Sequence, residues 1–418
     1  MSTLVAPAEP RPHGQTSSTP RILYIAYWGA TEPLGQSLIL PALERMVALG
    51  TRVTLLTFEK PPDPRAAELT PATSRRLRER GIPWSPQRYH KRPRLPATLF
   101  DTLNGWRAGV ALVRRHGAQV VHGRTFIGGL IGRAVATMAR VPFVYHNEGF
   151  YPDEMVDGGF WRRGSAMHRA AKALEGRLYA SADGLVVLSA RAARHVEGLP
   201  SVRRKSTPVV VVPSCVDLER FVPGRRLRDP EQPIRLVYAG AVGGRYELDR
   251  VGRFLAVLAH QAPVRLQVLT RESPDLVARM LRAGGLEEGI WRTDFVPHPE
   301  MPDALGRHDA GLFFLARGSS EMGCSPTKIG EYWACGLPVV TTPGVSDTDE
   351  VIGRFRCGVI VSEHTDAGYR RAGDELRALL ADPALSSRCR AAAESHYSLD
   401  PACDRQVQLY RDLSARSR

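Results

Sequence analysis

Lys328 and Glu331, three residues apart at the start of a predicted helix, are the pair in this chain best suited to hold a charged, hydroxyl-rich small molecule. They lie in the run Ser325-Pro326-Thr327-Lys328-Ile329-Gly330-Glu331-Tyr332-Trp333-Ala334-Cys335-Gly336-Leu337-Pro338. Ser325 suits an N-cap, Pro326 the first helical position, and Gly336 with Pro338 the stop. The spacing therefore predicts a short helix between Pro326 and Cys335, followed at once by a strand from Val339 to Thr342. Such a helix start offers unpaired N–H groups and partial positive charge to a diphosphate, and Lys328 in its first turn adds a full charge. Glu331 shares the helix face of Lys328, and an ionised carboxylate, which only accepts hydrogen bonds, suits a ribose diol. The competing reading of the same two residues is a solvated ion pair on a surface helix, worth little.

Other candidates stand where predicted strands end. Gly240-Ala241-Val242-Gly243-Gly244-Arg245 follows a strand, where Gly243 and Gly244 would let the backbone approach a phosphate and Arg245 would pair with it. With Lys328 it would make a diphosphate clamp. The run is not a G-x-G-x-x-G fingerprint, and none follows Tyr27, which argues against a nicotinamide or flavin dehydrogenase. Gly35, Gln36 and Ser37 open a predicted helix and would bring unpaired N–H groups to a phosphate from the other half of the chain; an ordinary helix start reads the same way. His122 and Arg124 end another strand, where a group that orients an acceptor or stabilises charge would sit. Asp153 and Glu154, in a glycine-bounded loop, could accept a proton or hydrogen-bond a hydroxyl.

The elements that must position these residues alternate apolar β-branched runs with helical patterns. The strands expected are Ile22 to Tyr27, Val53 to Thr57, Val120 to His122, Phe143 to His146, Leu185 to Leu188 and Pro208 to Val212. After a linker at 223–233 they resume as Ile234 to Ala239, Arg265 to Leu269, Trp291 to Val296, Ala310 to Leu315, Val339 to Thr342 and Gly358 to Val361. This implies parallel strands with crossover helices in two doubly wound α/β domains, at 21–222 and 234–398. A chain of 418 residues exceeds the size at which one core stops growing. Residues 1–20, rich in Pro, Ser and Thr, read as a disordered leader, and 399–418 as a terminal helix.

Composition is that of a soluble globular protein, with 43% hydrophobic and 24% charged residues and no apolar run long enough to span a bilayer. Without a signal pattern, a cytoplasmic location is expected. The net charge of +14 comes from 57 basic residues of which only five are lysine. That ratio fits codon usage as well as binding, and no nucleic-acid motif accompanies it, so no nucleic-acid partner is expected. One local cluster is more informative. Arg88-Tyr89-His90-Lys91-Arg92-Pro93-Arg94 precedes an amphipathic pattern through Leu99, Leu103, Trp106 and Val110, a surface that could rest on the inner face of a membrane or be an ordinary solvated helix face. The six cysteines show neither zinc nor disulfide spacing.

The Ser325 to Val340 segment resembles the donor-binding signature of the retaining glycosyltransferases of family 4, which have the GT-B architecture. Arg21 to Tyr27 with Glu32 to Ser37, Gly149 to Gly159, and Val210 to Asp217 resemble further segments of a bacterial subgroup among cell-surface polysaccharide transferases. That subgroup has a serine-proline-threonine-lysine run where much of the family places an earlier acid, at the position of Gly323 here; Glu321 and Arg317 lie in the same loop as substitutes. The resemblance implies a nucleotide-diphosphate sugar as co-substrate with no separate cofactor, Val296 and Pro297 against the base, and transfer with retention, without a metal, to a lipid-linked or saccharide acceptor. It also implies a terminal helix crossing back onto the first domain. Glu148 stands where relatives commonly carry arginine. A nucleotide-sugar epimerase of the same fold and a non-catalytic sugar-nucleotide binder are the rival readings.

Overall fold

The computed structural model describes residues 19–61, 69–224, 229 and 231–416; the predicted leader therefore lies almost wholly outside the described residues, as does part of the linker. The first sheet contains seven parallel strands: β1 (Arg21–Ala26), β2 (Arg52–Glu59), β3 (Trp84–Arg88), β4 (Val120–Arg124), β5 (Phe143–Asn147), β6 (Gly184–Val187) and β7 (Val209–Val211). Their order is β3-β2-β1-β4-β5-β6-β7. The second sheet contains β8 (Ile234–Ala239), β9 (Val264–Leu269), β10 (Trp291–Asp294), β11 (Ala310–Phe313), β12 (Val339–Thr341) and β13 (Gly358–Ile360), in the order β10-β9-β8-β11-β12-β13. Every pairing in both sheets is parallel. The central strands are buried on both faces, as helices on both sides require, and so read as continuous apolar runs.

The order of strands reverses between β1 and β4 in the first sheet and between β8 and β11 in the second. Open α/β sheets bind ligands in the crevice outside such switch points. The loops that begin at Tyr27 and Gly240 are thus where a site belongs.

The helix Leu399–Arg416 belongs physically to the first domain. Ala402, Cys403, Val407, Tyr410 and Leu413 are buried with helix Leu40–Ala48 and strands β1 and β4 to β7 in one core. Arg405 donates to Val211 O at 3.1 Å and Arg411 to Leu49 O at 3.1 Å. Each large side chain so buried contributes about 1.5–3 kcal/mol, which offsets the cost of ordering the tail.

Candidate functional site

The helix predicted between Pro326 and Cys335 runs Thr327–Ala334 with Pro326 at its cap. Ser325 does not cap it. Its hydroxyl instead accepts a 3.0 Å hydrogen bond from Ser214 N of the first domain, so the residue spent on closing the cleft is lost to the helix. The back of the helix is closely packed: a side chain at Gly330 would meet Tyr397 at 2.7 Å and Val216 at 2.8 Å.

The front of this helix faces a cleft of about 510 Å³ between the two domains. Lys328 points into it. Its Nζ is buried with no hydrogen-bond partner and lies over the rings of Tyr246, Tyr238 and Phe313 at 4.4, 5.2 and 5.2 Å. Burial lowers its pKa to about 8, with Glu331 acting weakly in the opposite sense. The ammonium also explains Gly240, whose φ of +115° is unsuited to other residues and whose absent Cβ would lie 2.6 Å from Nζ. Arg245 lines the same cleft, and its Nε and Nη2 are likewise buried without partners. Two cations with buried N–H groups left without hydrogen-bond acceptors on one cavity suit an anion, because such groups are costly to bury unless a ligand completes them.

Glu331 lines the cleft, and His298 Nε2 lies 3.5 Å from its Oε1. A short 3₁₀ turn, begun by Pro297, carries His298 to the carboxylate. Val296 packs in the core beside this turn, and neither it nor Pro297 lines the cleft. Gly243 and Gly244 take φ of +85° and +63° in a turn with open space around them, so they shape the loop while Gly240 and Ala241 line the cleft. Arg317 is exposed in a separate depression with Arg191. Glu321 is held by Gly318 N at 2.7 Å. At Gly323 a side chain would come within 2.8 Å of Phe150: the space of the family's earlier acid is filled by a ring from the first domain.

On the first-domain side, Glu154 and Glu148 line the cleft. Burial raises the Glu154 carboxyl to about 7, Arg245 pulling it down and Glu148 pushing it up. Glu148, which stands where the resemblance implies arginine, forms an ion pair with buried Arg124, whose Nη1 also donates to Tyr24 Oη at 3.1 Å. Burial works against the Arg124 charge, yet Glu148 and Tyr24 hold it more firmly protonated than usual. The structure does not bring His122 to the cleft. Its ring stacks on Tyr24 at 4.3 Å, contacts His146 at 3.2 Å and Tyr410 Oη at 2.9 Å, and burial keeps it neutral. Asp153 is also diverted, to Lys172 Nζ at 2.9 Å. Gln36 donates to Ala30 O and Thr73 Oγ1 at 2.8 and 2.9 Å, and Gly35 lies in a π-helical turn. Leu34, Leu38 and Trp28 present the cleft wall here in place of Gly35, Gln36 and Ser37. Trp28, which sequence reasoning missed, was signalled by its place just after β1 at the switch point.

Hydrogen bonds join the two domains beside the cleft. Asp157 Oδ2 accepts from Ser319 N, Ser320 N and Ser320 Oγ at 2.9, 3.0 and 2.8 Å. Asp347 accepts from Ala190 N and Arg191 N at 2.6 and 3.0 Å, at the start of helix Ala190–Glu197.

Two doubly wound domains facing across a cleft with a tail returned to the first define the GT-B class. Solved structures share the whole arrangement. Sucrose-phosphate synthase from Thermosynechococcus elongatus matches with a TM-score of 0.70 at 15% identity, over 95% of this chain and 100% of that one. Anabaena HepE, solved with UDP-glucose, matches with a TM-score of 0.60 at 15% identity, over 94% and 99%. The lipopolysaccharide outer core galactosyltransferase WaaB matches at 0.61 and 13%, over 95% and 98%. No curated protein matches the sequence. Residues 39–220 match the model of Glycosyltransferase Family 4 and residues 233–382 that of Glycosyl transferases group 1. With a glycosyltransferase match in each domain, the protein is a glycosyltransferase.

Proposed function

We propose that the protein transfers a sugar, with retention, from a nucleotide-diphosphate sugar to a hydroxyl of a lipid-linked or saccharide acceptor, in the synthesis of cell-surface polysaccharide or another glycoconjugate. The observation that carries this reading is that Lys328 Nζ and Arg245 Nε and Nη2, buried without hydrogen-bond partners, belong to two side chains lining one cleft. As the donor's glycosidic bond breaks, negative charge develops on the departing diphosphate. Fixed cations in a site shielded from water stabilise that charge without reorganisation, so the reading calls on no metal ion. Glu331, oriented by His298, would hold the ribose diol. Glu154, a carboxyl balanced near neutrality on the facing wall, would take a hydrogen bond or a proton from the acceptor hydroxyl. Apolar Trp28 and Leu38 would bound the acceptor path. The free cysteines suit a reducing compartment, which agrees with a cytoplasmic enzyme using cytoplasmic nucleotide sugars.

The test has two parts. A panel of nucleotide sugars should raise the melting temperature of the wild type selectively, and release of nucleoside diphosphate should then depend on added acceptor. The two first-domain carboxyls on the cleft also suit the epimerase rival, which would turn donor over with no acceptor present; that result would replace transfer with epimerisation. Proton NMR of the product's anomeric signal reads retention directly, and an inverted centre would remove it from the proposal.

A further inference from the structure

We infer that the first half of the helix Arg94–His116 is a docking surface for an anionic lipid bilayer. The helix has two faces that are both apolar, but for different reasons. Its inner face, Ala97, Gly105, Gly109 and Val113 with the buried Asp101 among them, recurs every fourth residue and packs closely; a Cβ on Gly105 would lie 2.7 Å from Phe58 and one on Gly109 2.6 Å from Val135. This is the face a buried helix needs. The outer stripe has no such explanation. Leu95, Leu99 and Leu103 follow the same four-residue period, with Phe100 beside them, and they stand 58%, 70%, 43% and 52% exposed. Four large apolar side chains in contiguous turns on water are a recognition surface rather than scattered exposure.

The surrounding charge specifies the partner. From Arg88 to Arg115 the only acidic residue is Asp101, which is fully buried and bonded to His90 and Tyr27. Arg88, Lys91 and Arg92 before the stripe and Arg107 one turn after Leu103 are all exposed. An apolar stripe flanked along its own segment by exposed cations and no exposed acid matches the interface of a membrane bearing negative headgroups, where the stripe enters the acyl boundary and the basic groups stay with the phosphates. A second copy of this chain is disfavoured, since docking two such patches would bring the cationic rims together. No helix among the described residues is long and apolar enough to cross a membrane, so the contact is with the surface.

The patch is coupled to the cleft by one residue. Tyr27 Oη donates to Asp101 Oδ2 at 3.0 Å, from within the docking helix, and Trp28, the next residue, lines the cleft. A docked bilayer would therefore lie beside the entrance through which a lipid-borne acceptor must come. That consequence rests on the proposed transfer reaction; the docking itself does not.

Full-length protein is to be sedimented with vesicles of phosphatidylcholine alone and of phosphatidylcholine mixed with phosphatidylglycerol. Binding is expected only to the mixed vesicles, and it should weaken as salt rises. The pair Lys91→Ala and Arg92→Ala should reduce partitioning about thirtyfold, on about 1 kcal/mol for each basic residue at an anionic surface. Leu99→Glu with Leu103→Glu should abolish it. Both pairs replace exposed side chains, and an unaltered melting temperature shows that the fold survives. No binding by the wild type, equal binding to both vesicles, or unchanged binding by both variants overturns the inference. So does a concentration-dependent dimer in light scattering that Leu99→Glu dissolves, which would assign the stripe to self-association. Nucleotide-induced stabilisation, measured in parallel, distinguishes failure of docking from failure of the transfer reading.

Discussion

Replacing Lys328 with methionine should make the empty protein more stable and its donor binding weaker, a combination that only an anion site in waiting explains. Methionine keeps the aliphatic reach of lysine and removes the charge. The folded protein lowers the Lys328 pKa from 10.5 to about 8. At about 1.4 kcal/mol for each tenfold change in proton affinity, holding the ammonium in place costs roughly 3 kcal/mol at neutral pH. The aromatic rings of Tyr246, Tyr238 and Phe313 return part of that, about 0.5–2 kcal/mol by cation–π attraction. A net gain of about 1–3 kcal/mol on substitution follows, a rise of several degrees in melting temperature.

The pH dependence has a definite sign. The unfolded chain holds this proton more tightly than the folded one, so the penalty is complete below pH 8, fades as the pH rises from about 8 to 10.5, and is absent above. The advantage of methionine should fade over the same window. Donor binding runs the other way. A diphosphate favours the charged form, so wild-type affinity should fall about tenfold per pH unit above 8, while the variant, already about tenfold to a hundredfold weaker at pH 7 from loss of a charged hydrogen bond, should not respond. Thermal denaturation and titration calorimetry with the stabilising nucleotide read both arms. A variant less stable than wild type by more than about 2 kcal/mol, or one binding donor as well as wild type, refutes the reasoning.

The fold was legible because parallel strands buried on both faces announce themselves as apolar runs, and twelve such runs were separated by helical patterns. The strand that escaped, β3, shows why. Its Trp-Ser-Pro-Gln-Arg sequence sits at the sheet edge, where Pro86 is tolerated and one flank meets solvent. That Lys328 and Glu331 would face one cleft could be read from spacing, because they share one helix whose geometry fixes their common face. On the acceptor side, position at a strand end was a weaker guide. His122 precedes the end of β4 by two residues and so lies on the sheet face beneath the terminal helix, which, nearly 300 residues away in sequence, supplies Tyr410 as its partner. Asp153 and Glu154 are neighbours whose side chains leave the helix Tyr151–Asp157 in different directions, and only the later helix carrying Lys172 decides that Asp153 is the one satisfied. Long-range partners of this kind leave no local trace in the chain.

Three further outcomes follow from the site. Glu154→Gln should stabilise the protein more at pH 8 than at pH 5 in thermal denaturation, since burial raises the folded carboxyl from 4.5 to about 7 and the wild type loses stability as the pH rises through that range; if Glu154 serves as the base, the rise in wild-type activity through pH 7 should vanish with it. Asp157→Ala removes the single oxygen on which three donors of the Gly318–Ser320 loop converge, a loss of about 1.5–3 kcal/mol of tethering, and small-angle scattering should show a more open molecule. The ion pair of Arg124 and Glu148 allows the sharpest test of why this chain departs from the proteins it resembles. Glu148→Arg alone would restore their arginine but set two guanidinium groups together in a buried site with no acid between them, at a cost of at least about 3 kcal/mol. Adding Arg124→Glu reverses the pair and should recover most of that loss. In a chemical-denaturation cycle of the four proteins the coupling should therefore exceed about 2 kcal/mol. Additive losses would mean that the two charges are solvated independently, and the glutamate would then face the acceptor as a free carboxylate rather than as the partner of Arg124.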